Sequence, residues 1–487
     1  MTEPCELSAV EARRLIGLKQ LSPLELLDSC LARIEATNPA VNAVVAIDAD
    51  AARTAAKAAE ARVQDGAPLG LLHGLPVGIK DLSVTKGLRT TWGSLLFKDH
   101  VPTADDSVVA SVRNAGAIVL AKTNTPEFGA GANTTNRVYG ATGNPFDPSR
   151  TCGGSSGGSA VALALGQLPL CTGSDYGGSL RTPASFCGVT GFRPTPGLVP
   201  STERAAALLP FGVNGPMGRT LGDAYLLLRA QAGTDRRDPF SSGDAAGLPA
   251  CLQPADLAAT RAAFSTDLGC APVDRAIADA FQQKVATFRH VFREASERAP
   301  DFSNVHEVFE ATRGIAFVAQ HGERLAQHRA LLGPNVIDNT ERGLQVSARE
   351  LGTALVEQTR LYKRFFAFFR DVDVLICPAA SVSPFPHGEL YVREINGAAM
   401  PSYMRWLAIT YAPTMALAPA VCLPCGLDHA GLPFGIQVIG PNGADRRVLE
   451  VAAALEALLA QNPATRRPVP GLAKLIETGR QPGKGRG

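Results

Sequence analysis

Two serines stand 24 residues apart, Ser155 and Ser179, and each follows a Gly-Gly step within 151–193. A hydroxyl is a poor nucleophile until a base removes its proton, so the pair matters only if a base is within reach. The chain has eight histidines, and none falls in this segment. Both GGSSG (153–157) and its one-residue shift fit Gly-x-Ser-x-Gly. A nucleophile elbow, however, needs a strand immediately before the serine, and NPFDPSRTC carries two prolines there. The other candidate base is Lys80 in VGIKD. An apolar strand would desolvate its ammonium, and a drop of about 3 pH units, ~4 kcal/mol, would make it a neutral base near pH 7. Asp81 would oppose that in a shared pocket, but strand alternation sends it to the opposite face.

These groups need a frame. A Gly-Ser run is commonly a flexible linker. This one is interleaved with an apolar helix, SAVALALG, and a β-like run, LPLCT, at 159–172. Glycines bounded by such elements let backbone approach a reacting group or adopt positive φ. Ser8 with Glu11, and Ser22-Pro23-Leu24-Glu25, predict helix starts by capping boxes. An Ala-rich helix is expected over about 49–64. Strands are expected at 75–80, in AIVLAKT, at 372–379, at 419–424 and at 434–440, with helices at 107–116 and 445–461. Alternation of this kind predicts an α/β fold: a single large α/β/α sandwich with a central mixed, mostly parallel sheet and helices on both faces. Residues 1–470 read as one domain with site segments at 70–200 and a helical insert at about 240–370. Residues 471–487 read as a flexible basic tail.

Composition narrows the function class. The 487 residues carry a net charge of +2 with 45% apolar residues, which suits a buried core and gives no support to nucleic-acid binding. With no apolar run of 18 residues and no signal-peptide pattern, neither a membrane span nor export is expected. Ten cysteines are scattered through apolar surroundings; the Cys422/Cys425 CxxC has no companion pair or histidine cluster and reads as buried and reduced. A cytoplasmic setting is the expectation.

The motifs GLPVGIKD (74–81), AKTNTPEFG (121–129), GGSSGGSA (153–160), GSDYGGSLRTPASFCGV (173–189) and GFRPTPG (191–197) together resemble the amidase signature family of hydrolases. The resemblance spans most of the chain and implies a Ser-cisSer-Lys triad. Ser179 would be the acylated nucleophile, Ser155 the bridging serine after a cis Gly154–Ser155 peptide, and Lys80 the base. It further implies an oxyanion hole of backbone N–H groups from Tyr176, Gly177 and Gly178, with the Ser179 amide beside them. Tyr176 and Ser174 stand where many members carry threonine, and a tyrosine ring there would narrow the acyl pocket. Ser156, Asp175 and Arg181 are expected to support the loop. Thr123, Asn124 and Asn133 are candidates for pocket lining or loop capping, and Tyr403 and Trp406 for an aromatic wall. The implied activity is cofactor-free, metal-free hydrolysis of linear carboxylic amides through an acyl-enzyme, releasing ammonia or an amine. The partner would be a small-molecule amide, with neither nucleic acid nor membrane, and a homodimer stays open. Alternatives are an A-type component of glutamyl-tRNA amidotransferase, a carbamate, urea-like or aryl-acylamide hydrolase, and a non-enzymatic binding module.

Overall fold

The structure, a computed structural model, describes residues 3–241 and 247–480. Both predicted N-terminal caps form. The Ser8 hydroxyl accepts from the Glu11 amide, and the Ser22–Glu25 box closes in both directions ahead of the helix Pro23–Val41. The Ala-rich helix runs Ala49–Gln64.

Eleven strands form one mixed sheet. By first residue, the order across it is 44, 118, 76, 170, 213, 190, 420, 433, 374, 261 and 294. Along Val374–Pro378, Val374 and Ile376 join one apolar cluster while Leu375 and Cys377 join a second, so both faces are covered. The first cluster includes residues of the helices Pro23–Val41 and Asp445–Ala460. The second includes residues of Val305–His328 and Ala408–Met415.

Three expectations change. The parallel pairs number four, 76 with 118 and 170, and 261 with 374 and 294, whereas the other six neighbour pairs are antiparallel. Strands buried on both faces read as apolar runs in either direction, and direction is set by distant connections. Second, the expected helical insert contributes two strands, Arg261–Phe264 and Glu294–Glu297, which extend one edge of the sheet. The edge segment EASE is half-exposed and charged, so no apolar pattern betrays it. Third, part of the expected tail is a helix, Leu472–Arg480. Leu475 is buried in the first cluster, and the helix lies against Pro39 and Ala40. Its apolar residues Leu472, Leu475 and Ile476 have helical spacing. The remainder, 481–487, lies outside the described residues.

Three adjacent strands place the site. Pro76–Lys80 is buried at every position and lies between its parallel neighbours Ile118–Thr123 and Leu170–Asp175. Lys80 and Asp175 thus sit at the carboxyl ends of neighbouring parallel strands, where α/β sheets form their binding crevices. The serine loop leads into the helix Gly157–Ala164, all eight of whose residues are buried. At Gly158 the helix lies so close to the backbone of Asn124 and Ala43 that a Cβ would not fit. Val161 and Leu163 are fully enclosed, and burial of each side chain contributes about 1.5–3 kcal/mol to holding the loop in place.

Candidate active site

Lys80 is 1% exposed, and its Nζ lies 2.8 Å from Ser155 Oγ, 2.9 Å from Ser156 Oγ and 2.9 Å from Ser174 Oγ. Burial pushes its ammonium down to about 7, against a smaller upward pull from Asp175. The drop matches the size that a lysine base requires. Asp81 points away, as strand alternation predicts. Its carboxylate accepts from the Thr91 hydroxyl at 2.6 Å and lies 3.6 Å from the Lys122 ammonium.

The two serine loops are joined. The Ser156 amide donates to the Ser179 carbonyl at 3.2 Å, and Ser155 and Ser179 line one cavity of about 240 Å³. The peptide bond between Gly154 and Ser155 is cis. Ser155 is buried and Ser179 is half-buried. None of the histidines lines this cavity.

The turn carrying Ser179 is built on Asp175. Arg181 grips its carboxylate in a bidentate fork, both contacts at 3.0 Å, and Arg193 approaches at 3.4 Å. Burial alone would raise the Asp175 carboxyl, but Arg181 and then Arg193 overcome it and hold the group at about 2. The carboxylate also accepts from the amides of Gly178 at 3.0 Å and Leu180 at 3.1 Å. Asp175 and Arg181 are therefore supports of the turn, and Arg193 is a third member that the sequence motif contained unassigned.

That geometry corrects one expected role. The Gly178 amide is engaged by Asp175 and so is withdrawn from the expected oxyanion set. Gly178 holds φ +118 against Thr410, a conformation and a closeness that only glycine tolerates. Among the described residues none accepts from the amides of Tyr176, Gly177 or Ser179, and all three residues line the cavity.

The remaining candidates separate cleanly. Thr123 bonds Ser159 at 2.7 Å, Asn124 donates to Thr142 at 2.9 Å, and Asn133 donates to the carbonyls of His387 and Glu389. All three are buried loop and strand ties away from the cavity lining. Trp406 is buried against Phe385, and Tyr403 receives Arg313 at 3.0 Å, so neither walls the cavity. Their neighbours Met404 and Leu407 do, along with Tyr176, whose ring stands edge-on to Phe211 and Phe309. Ser156 accepts from Lys80 and directs its hydroxyl at the Ser174 carbonyl at 3.3 Å. Ser174 itself, singled out in the sequence only as standing where many members of the resembled family carry threonine, is a direct Lys80 partner. Cys422 and Cys425 are buried and unpaired, and burial pushes the Cys425 thiol up to about 12. Among the described residues no helix is long and apolar enough to cross a membrane.

The family model described as Amidase matches residues 25–449. An acylamidase of Rhodococcus erythropolis is 32% identical over 454 residues, spanning 93% of this chain and 95% of that protein. The A-type component of a glutamyl-tRNA(Gln) amidotransferase from Picosynechococcus is 34% identical over 467 residues, 89% of this chain and 94% of that one. Among solved structures, a bacterial aryl acylamidase of the amidase signature enzymes superposes with a TM-score of 0.84 at 27% identity, covering 98% of this chain and 99% of its own.

Proposed function

The chain belongs to the amidase signature family and is an enzyme of amide carbon–nitrogen hydrolysis, and we propose that Lys80, Ser155 and Ser179 carry the reaction. The observation behind this is the enclosed Lys80 Nζ, 2.8 Å from Ser155 Oγ with its ammonium lowered to about 7. A neutral lysine has two N–H donors and one lone pair, whereas three hydroxyl oxygens surround it. At least one hydroxyl must then donate to it. Ser156 directs its proton at the Ser174 carbonyl, which leaves Ser155 well suited to the task. Once protonated, the ammonium has three donors for the same three oxygens. The cage thus serves both charge states by turning hydroxyls alone.

In the forward half-reaction Ser155 passes a proton to Lys80 and takes one from Ser179, whose Oγ attacks the carbonyl carbon. The amides of Tyr176, Gly177 and Ser179 receive the negative oxygen, each such donor being worth about 3–4 kcal/mol in the transition state. The carbon–nitrogen bond then breaks, and the lysine proton returns through Ser155 to the departing nitrogen. Water attacks the Ser179 ester by the same route, giving a carboxylic acid and free Ser179. The cavity of about 240 Å³ is below the usual range for drug-sized ligands, which favours a small amide. Ten unpaired cysteines, most of them buried, support a reducing, cytoplasmic setting.

A second reading, the A-type component of an amidotransferase, rests on the 34% identity to such proteins. It requires partner chains for its activity. Release of ammonia or p-nitroaniline from simple amides by the isolated chain, lost in Ser179→Ala, supports the first reading. Turnover of glutamine only after adding the other amidotransferase components would favour the second, and no turnover of any amide or ester would oppose both.

A further inference from the structure

We propose that Arg313 recognises an anionic substituent of the substrate, so that the amide hydrolysed here carries a carboxylate. This rests on the amidase reading and names the substrate class within it. Arg313 lies on the helix Val305–His328, is 5% exposed, and lines the same cavity as Ser155 and Ser179. Its polar partners are all neutral: Nε donates to Asn339 Oδ1 at 3.1 Å and Nη2 to the Tyr403 hydroxyl at 3.0 Å. Among the described residues no carboxylate pairs with it, and Nη1 has no hydrogen-bond partner.

The contrast with Arg181 and Arg193, both more fully enclosed, is direct. Arg181 and Arg193 share Asp175. A buried guanidinium without a counterion is costly, and Arg313 is held in that state by aromatic faces, Phe317 at 4.6 Å, Tyr176 at 5.3 Å and Phe309 at 5.9 Å. These rings fix the plane of the fork while supplying no charge-assisted acceptor. The three acids that line the same cavity are engaged elsewhere: Asp175 with Arg181 and Arg193, Asp106 with the Val84 amide at 2.6 Å, and Glu203 with the Ser107 amide at 3.0 Å. A planar fork with an unused edge suits a carboxylate, and Met404, Leu407 and Phe317 supply an apolar wall for the carbon chain between it and the amide.

Steady-state turnover of matched pairs tests this: succinamate against butyramide, with the charge on the acyl side, and N-acetyl-β-alanine against N-propylacetamide, with the charge on the amine side. The expected result is a kcat/KM preference for the anion of about tenfold or more in at least one pair. Arg313→Gln should bring that ratio close to one, a loss of about tenfold or more, in line with loss of a charge-assisted hydrogen bond, and Arg313→Lys should lower it by less. A role confined to holding Asn339 and Tyr403 would depress both members of a pair alike. Neutral amides turned over as well as anionic ones by the unaltered enzyme, or a ratio unchanged in either variant, overturns the proposal. The lysine variant keeps the test open if the glutamine variant does not fold. Hydrolysis of neither member of either pair would instead strike at the amidase reading itself.

Discussion

The carboxylate of Asp81 lies 3.6 Å from the ammonium of Lys122, both fully enclosed, although Asp81 directly follows Lys80 in the chain. That pairing removes from Lys80 the counterion nearest to it in sequence. The kcat/KM for a simple amide should therefore rise with pH through an apparent pKa near 7, as Lys80 loses its proton. Asp81→Asn should leave that limb almost in place while destabilising the fold by about 3–5 kcal/mol, because it strands the Lys122 charge. The pH–rate profile and denaturant unfolding of the two proteins check both halves.

The same lysine links stability to pH. Its folded pKa of about 7 lies below its ordinary value of 10.5, so between those limits the unfolded chain binds more protons than the folded one. Stability must then rise with pH across that window. The Tm of the unaltered enzyme relative to Lys80→Met should climb steadily from pH 7 to pH 10 and stay flat below pH 6. A relative Tm that falls over pH 7–10 would have the wrong sign.

Ser174 offers a finer probe. Its Oγ at 2.9 Å from Lys80 Nζ stabilises the ammonium form, so Ser174→Ala should move the pH limb to lower values. One hydrogen bond of about 0.5–1.5 kcal/mol corresponds to about 0.4–1 pH unit. An upward shift would contradict the cage of three hydroxyls around the lysine.

Asp175→Asn should be among the most damaging single changes. It leaves the enclosed Arg181 and Arg193 guanidinium groups uncompensated and loosens the turn that carries Ser179, at about 3–5 kcal/mol. Urea unfolding gives the loss, and amide turnover should drop by more than about 100-fold at temperatures where the variant is folded. Near-normal turnover would mean that the turn is held by something else.

Much of the site is legible in the chain because its parts are local. Lys80 ends an apolar strand, and the two Gly-Gly-Ser steps mark where backbone must bend. What stays hidden is long-range. The engagement of the Gly178 amide by Asp175 depends on a side chain folding back onto a turn three residues later. Thr123, Asn124 and Asn133 are polar residues beside the motifs, and only their distant partners, such as His387 and Ser159, reveal them as ties. Arg313 sits in a long amphipathic helix with no motif around it, and its place in the cavity is set by how that helix packs against the helices Pro334–Gln345, Ala348–Phe368 and Ala408–Met415. Strand direction is hidden for the same reason: PAVCLP and FGIQVIG read as buried strands whichever way they run.

The most direct measurement is covalent capture. A fluorophosphonate probe followed by peptide mapping should place the adduct on Ser179, with a labelling rate that rises through an apparent pKa near 7, and Lys80→Met should remove that pH limb. An adduct on another residue, or an unaltered limb without the lysine, would contradict the relay from Ser179 through Ser155 to Lys80.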